Sequence, residues 1–285
     1  MVHSCPYHFG VAWEPDQGQT PAQGGRHAGP ARGARRGTRI AIAALLIGIA
    51  ALGVSVYKVY TGLMPRKFTP AEQQQIMGWE VAARWRELPA GDIFPAKTTY
   101  PPPQVLVDGG RLTLTASRLG IARQASCQQA TDPAAAAVLD RSGCEAVLRA
   151  TYVDGTGTFL VTVGVAAFPG AAQAAAAQLA LSNPRLTHAG QTNFVAPGVQ
   201  AAAFAQTPAG GFTDARRQVS GNLTEGPYVV MYTIGYTDDR PKVPVDVDGY
   251  TYSEMTSLGE GLSSKIGDTL SVQPPVPHCP GAPGC

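Results

Sequence analysis

Residues 227–236 read Pro-Tyr-Val-Val-Met-Tyr-Thr-Ile-Gly-Tyr, the strongest β signal in the chain. Val, Ile and Tyr fit a pleated surface better than a helix, so Tyr228 to Tyr236 is expected to be a strand, central and buried. A buried strand needs neighbours. Upstream, Val199 to Gln206 and Phe212 to Ser220 read as two more strands, with Asn222-Leu223-Thr224 as a turn. That triplet is also an N-glycosylation sequon, which carries meaning only in a eukaryotic secreted protein. Downstream, Asp238, Asp239, Asp246, Asp248 and Gly249 form a loop. Its spacing misses the D-x-[DN]-x-[DN]-G pattern of a calcium loop, and turn chemistry accounts for it. A helix over Tyr252 to Leu270 follows, with Met255, Leu258, Leu262 and Ile266 on one side.

Further upstream the same alternation of elements continues. Glu145 to Tyr152 and Thr158 to Ala166 read as strands joined by Asp154-Gly155-Thr156-Gly157, and TFLVTVGVA alternates small or polar residues with Val and Phe. Pro169 opens an Ala-rich helix, Gly170 to Leu181, stopped by Asn183-Pro184. Alanine favours the helix and allows close approach to a sheet. A shorter helix begins at Pro133 with Asp132 as its cap. Gln104 to Val107 and Arg111 to Ser117 read as strands around Asp108-Gly109-Gly110, after the connector Pro101-Pro102-Pro103. Thr69, Pro70 and Glu72 form the start signal of a helix that carries Ile76, Trp79, Ala83 and Trp85 and ends near Leu88. Its two tryptophans are read as core or membrane-proximal packing.

Before that helix stands Ile40 to Tyr57, IAIAALLIGIAALGVSVY, 18 residues without a charge. At about 1.5 Å per residue it covers about 27 Å, close to the roughly 30 Å hydrocarbon core of a bilayer. The run is longer than a signal-peptide core and lacks a small-x-small cleavage site, so an uncleaved single-pass anchor over residues 40–60 is expected. Tyr57, Lys58 and Tyr60 suit the interface. Arg26, Arg32, Arg35, Arg36 and Arg39 precede the run, against Lys58, Arg66 and Lys67 after it, which places the N-terminus in the cytoplasm. Arg35-Arg36 matches a twin-arginine export signal poorly. Residues 1–39, rich in Gly and Pro, are expected to be a disordered cytoplasmic tail; 61–272 an extracytoplasmic α+β domain; and 273–285 a Pro-rich, extended tail.

The formal net charge of +2 gives no argument for nucleic acid. His3, Cys5 and His8 lie together on the N-terminal tail without a second cluster, so no metal site is assigned. Four of the five cysteines, Cys127, Cys144, Cys279 and Cys285, follow the apolar run and are disulfide candidates if the domain is exported. Of three possible pairings, 127–144 with 279–285 is preferred because both are local, which leaves Cys5 in a reducing cytoplasm. The segment after the anchor holds two histidines, His188 and His278, and no G-x-S-x-G, H-E-x-x-H or Gly-rich phosphate loop. No catalytic, cofactor or metal residue is assigned.

The stretch TPAEQQQIMGWEVAARWRELPAGDIFP, the pair Cys127/Cys144, the run ATYVDGTGTFLVTVGVAAFPGAAQAAAAQLA and the ending PHCPGAPGC resemble single-pass membrane proteins of Streptomyces-like actinomycetes, a family with no assigned activity. Abundant Ala and an excess of Arg over Lys agree with a GC-rich bacterial genome. More distantly, the order strand–strand–Ala-rich helix followed by PYVVMYTIGY is similar to extracytoplasmic sensor domains of actinobacterial kinases and to envelope lipoproteins; such a likeness does not carry function. The sequence thus predicts an antiparallel sheet with helices on one face, tethered to the lipid bilayer. The leading functional expectation is a non-enzymatic cell-envelope protein that binds a partner or ligand. The alternatives are an envelope hydrolase or transferase, or a structural accessory subunit of a membrane complex.

Overall fold

The computed structural model describes residues 34–63, 66–103, 113–187, 195–242 and 249–277. The chain forms two units, Met1–Met64 and Pro65–Cys285. In the first, α1 (Ala34–Leu63) is a 30-residue helix. It begins at Ala34, ahead of the apolar run. Ala and Arg are strong helix formers, and extending an existing helix avoids the cost of nucleation. Among the described residues no helix is long and apolar enough to cross a membrane. Within α1 the described side chains are those of residues 45–59, all exposed.

In the second unit α2 (Pro70–Glu87) starts where its sequence signal lies. The Glu72 amide donates to Thr69 Oγ1 at 3.3 Å and the Thr69 amide to Glu72 Oε2 at 2.9 Å, a reciprocal capping box. Arg66 joins the same carboxylate at 3.0 Å. A short α3 (Ala90–Ile93) leads into β1 (Lys97–Tyr100) and β2 (Leu114–Ile121). Then come α4 (Cys127–Ala130), α5 (Pro133–Arg141), β3 (Ala146–Asp154) and β4 (Phe159–Ala167). These are followed by α6 (Ala171–Leu181), α7 (Pro184–Thr187), β5 (Arg217–Glu225), β6 (Tyr228–Tyr236) and α8 (Gly249–Ser271).

The six strands form one antiparallel sheet in the order β1-β2-β3-β4-β6-β5. β6 lies inside it, as its composition predicts, paired with β4 from Phe159↔Tyr236 to Ala167↔Tyr228. One strand and one turn expected around it are not formed. Residues 199–206 form no strand, only an isolated bridge from Val199 to Thr131. Asn222-Leu223-Thr224 lies within the last half of β5 rather than in a turn; the reversal comes at Gly226, whose φ of +56° suits glycine. The strand expected over Gln104 to Val107 lies outside the described residues, and β1 takes the place beside β2.

Helices cover both faces of the sheet, not one. Tyr228, Val230, Tyr232 and Ile234 pack with Met255, Leu258, Leu262 and Ile266 of α8 and with Trp85 of α2. The alternate residues Val229 and Met231 pack with Ala135 and Leu139 of α5 and Ala174, Ala177 and Leu181 of α6. Every residue of β4 is buried. Its small and polar positions are therefore covered as well, Ala166 by the α5 and α6 cluster, Gly164 by Val199 and Thr162 by the Ala202 amide. Small side chains make room for that cover: a Cβ on Gly164 would lie 2.5 Å from Val199 Cγ2.

Candidate functional site

The α2 helix is wall to two concavities. On one side a groove of about 590 Å³ runs between α2, the start of α6, the β5–β6 turn and the end of α8. Met77, Trp79, Val81, Pro169, Pro227 and Pro274 make it mainly apolar; Gln74, Gln75 and Gln273 add amides. Trp79 is 62% exposed. Its partner in the sequence, Trp85, is buried in the core. On the opposite side a pocket of about 430 Å³ is lined by Trp85, Arg86, Ile93, Ile121, Gln124 and Leu148. Arg86 stacks over the Trp85 ring at 4.6 Å and pairs with Glu145. The indole N–H of Trp85 is buried without an acceptor.

Tyr228 fixes α2 to the sheet. Its hydroxyl donates to the Val81 carbonyl at 2.5 Å, and burial pushes its pKa up to about 12. Arg84 donates to the Leu270 carbonyl at 3.2 Å, which ties α2 to the end of α8. The groove is thus built on a helix held from both sides. Binding surfaces on such elements keep their shape better than loops do.

The other face carries an ionic lock that sequence reading missed. Arg217 reaches Asp132 through two parallel bonds, Nη1 to Oδ2 at 2.8 Å and Nη2 to Oδ1 at 2.9 Å. The Gly198 amide donates to the same carboxylate at 2.9 Å. Asp132 stands at the predicted N-cap of α5, yet its side chain makes no cap bond. Arg217 also lies 3.4 Å from Asp214, which accepts from the Ala201 amide at 2.8 Å. Hydroxyls continue the attachment. Thr151 donates to the Ala202 carbonyl at 2.7 Å, Thr162 accepts from the Ala202 amide at 3.1 Å, and Ser220 donates to the Ala196 carbonyl at 2.5 Å. Residues 196–202 are strapped to the sheet by these groups, which is why that stretch needs no ladder of its own. The period-2 pattern of the strands holds a trace of it: Thr151, Thr162, Thr233 and Ser220 form one row across four strands.

The predicted sulfur pair Cys127–Cys144 is at bonding distance, 1.99 Å, and joins α4 to the approach of β3. Cys279, Cys285, Cys5, His3, His8, His188, His278, Asp246 and Asp248 lie outside the described residues. Asp238 pairs with Arg240 (Nε to Oδ2 2.8 Å) and Asp239 with Arg216, so the two described acids of that loop serve ion pairs. Among the described residues no three His, Cys, Asp or Glu side chains gather as a metal would require. The hydroxyl of Ser263 is buried without any partner, so no base is held against it. Comparison with protein families, characterised proteins and solved structures gives no match.

Proposed function

We propose that this chain is a membrane-anchored extracytoplasmic binding protein of the cell envelope, which holds its partner in the Trp79 groove. The anchor is the uncharged run Ile40–Tyr57 within α1, with the N-terminus in the cytoplasm and the second unit outside. The observation that carries the reading is the Cys127–Cys144 bond, because structural disulfides persist in oxidising compartments. The likeness to single-pass actinomycete membrane proteins agrees with it. An apolar groove with a few amides around an exposed tryptophan suits a neutral, extended ligand such as a peptide segment. Shape and burial, not chemistry on the ligand, are what this site offers.

A photo-cross-linking residue in place of Trp79, in the full chain within its membrane, tests the reading. A discrete adduct is expected at position 79 and not at Leu179, which is 74% exposed on α6. With the cross-linking residue moved to Gln74 on the same groove wall, Trp79→Ala should abolish capture of the same species. Equal labelling at both positions, or none at 79, contradicts the groove as the binding site.

A further inference from the structure

β5 ends the sheet. Among the described residues no backbone hydrogen bond other than those of the β5–β6 ladder reaches residues 219–225. Proteins blunt such edges with Lys, Pro or bulges, because an open edge templates another strand. Here the devices stop early. The register shift lies between Arg217 and Val219, and among the described residues Lys242 and Pro241 reach Gln218, at 2.6 and 3.0 Å, with the Lys242 amide on the Ala215 carbonyl. Beyond them Val219-Ser220-Gly221-Asn222-Leu223-Thr224-Glu225 contains no Lys and no Pro. The opposite edge, β1, is short, carries exposed Lys97 and runs into Pro101-Pro102-Pro103.

The side chains of this edge are incomplete as well. Asn222 Oδ1 and Thr224 Oγ1 are buried without a hydrogen-bond partner. Asn222 and Thr224 lie on the face that Met231 and Val229 turn to α5 and α6, and a strand added beside β5 would set its own side chains next to them on that face. Ser220, Asn222 and Thr224 share that face, opposite Thr233, Met231 and Val229 of β6.

We propose that β5 pairs antiparallel with β5 of a second copy of this chain, about a two-fold axis at Asn222. The segment is self-complementary about that residue. The axis sets Asn222 opposite the partner's Asn222, Ser220 opposite the partner's Thr224, and Gly221 opposite the partner's Leu223. An amide both donates and accepts, so two asparagines across the axis can pair with each other, and Ser220, whose own proton goes to the Ala196 carbonyl, can still accept from the partner's Thr224 hydroxyl. Gly221 leaves room for the larger leucine that faces it. The result is one continuous sheet through two copies, with an isologous interface. The proposal does not depend on the membrane reading or on the Trp79 groove.

The test uses the full chain in detergent, with sedimentation and amide hydrogen exchange followed over a range of protein concentrations. A concentration-dependent dimer is expected, with exchange protection rising at residues 219–225 as the dimer fills. Asn222→Asp and Asn222→Lys each set like charges across the axis and should weaken self-association at least about tenfold, whereas an equal mixture of the two should restore it. A monomer at every concentration overturns the proposal. So does a dimer protected only elsewhere, for instance over residues 34–63, or a mixture that stays monomeric. If either variant fails to fold, as circular dichroism would show, the exchange profile of the unaltered chain decides alone. Were the natural occupant of the edge an extended segment of another protein, β5 would remain unprotected in the purified chain, which also contradicts the self-pairing.

Discussion

Asp132 shows how a correct local reading and a different global use coexist in one residue. Asp before Pro133 is a helix-start signal, and α5 does start there, but the carboxylate is turned toward Arg217 and the Gly198 amide. The pair spans 85 positions of sequence, so nothing local points to it. Only burial of the strand start, where Arg217 is 9% exposed, makes the charge need a partner. Removing one member strands the other. Arg217→Met should therefore cost about 3 kcal/mol of stability, read as a shift in the denaturant midpoint, while Arg217→Met with Asp132→Leu should lose less than the single change. Tyr228 gives a pH prediction at the same scale. The native state holds its proton to about pH 12, the unfolded chain only to about pH 10. Between those values the native state binds more protons, so its contribution is complete below pH 10 and is lost as pH rises toward 12. Urea midpoints measured from pH 9 to 11 should fall, and fall less steeply in Tyr228→Phe.

At the scale of elements, what was legible depended on how local the cause is. The start of α2 was read correctly because a capping box is written in consecutive residues. β4 and β6 were legible from composition, since central strands bury both faces whatever packs on them. The segment at 199–206 was misread because a run of Ala with Val resembles a strand, while its hydrogen bonds go to side chains of distant strands. Asn222-Leu223-Thr224 was misread as a turn because Asn and Thr favour turns where no sheet edge competes for them. The disulfide belongs here too. It ties α4, an element too short to hold itself, to the approach of β3 across 17 residues. Replacing Cys127 and Cys144 together by Ala should lower stability by about 3 kcal/mol, visible as a lower melting temperature that reductant no longer changes.

For the whole molecule, the α+β class and the antiparallel sheet followed from the pattern of elements, but the layering did not. Helices on one face was the expectation; α2 and α8 cover one face while α5 and α6 cover the other. Gly164 and Ala166 of TFLVTVGVA are buried against Val199 and the α5–α6 layer, contacts that the alternation alone does not specify. The groove could not be found this way either: Trp79 and Trp85 share one helix, and only the fold separates the exposed ring from the buried one. Location is the claim on which the functional reading turns. The most direct measurement is mass analysis of the chain from intact cells alkylated before lysis, combined with external protease. The account predicts a Cys127–Cys144 disulfide in the membrane fraction and cleavage of the domain from outside. Reduced, alkylated Cys127 in a protease-protected cytoplasmic fraction would contradict it.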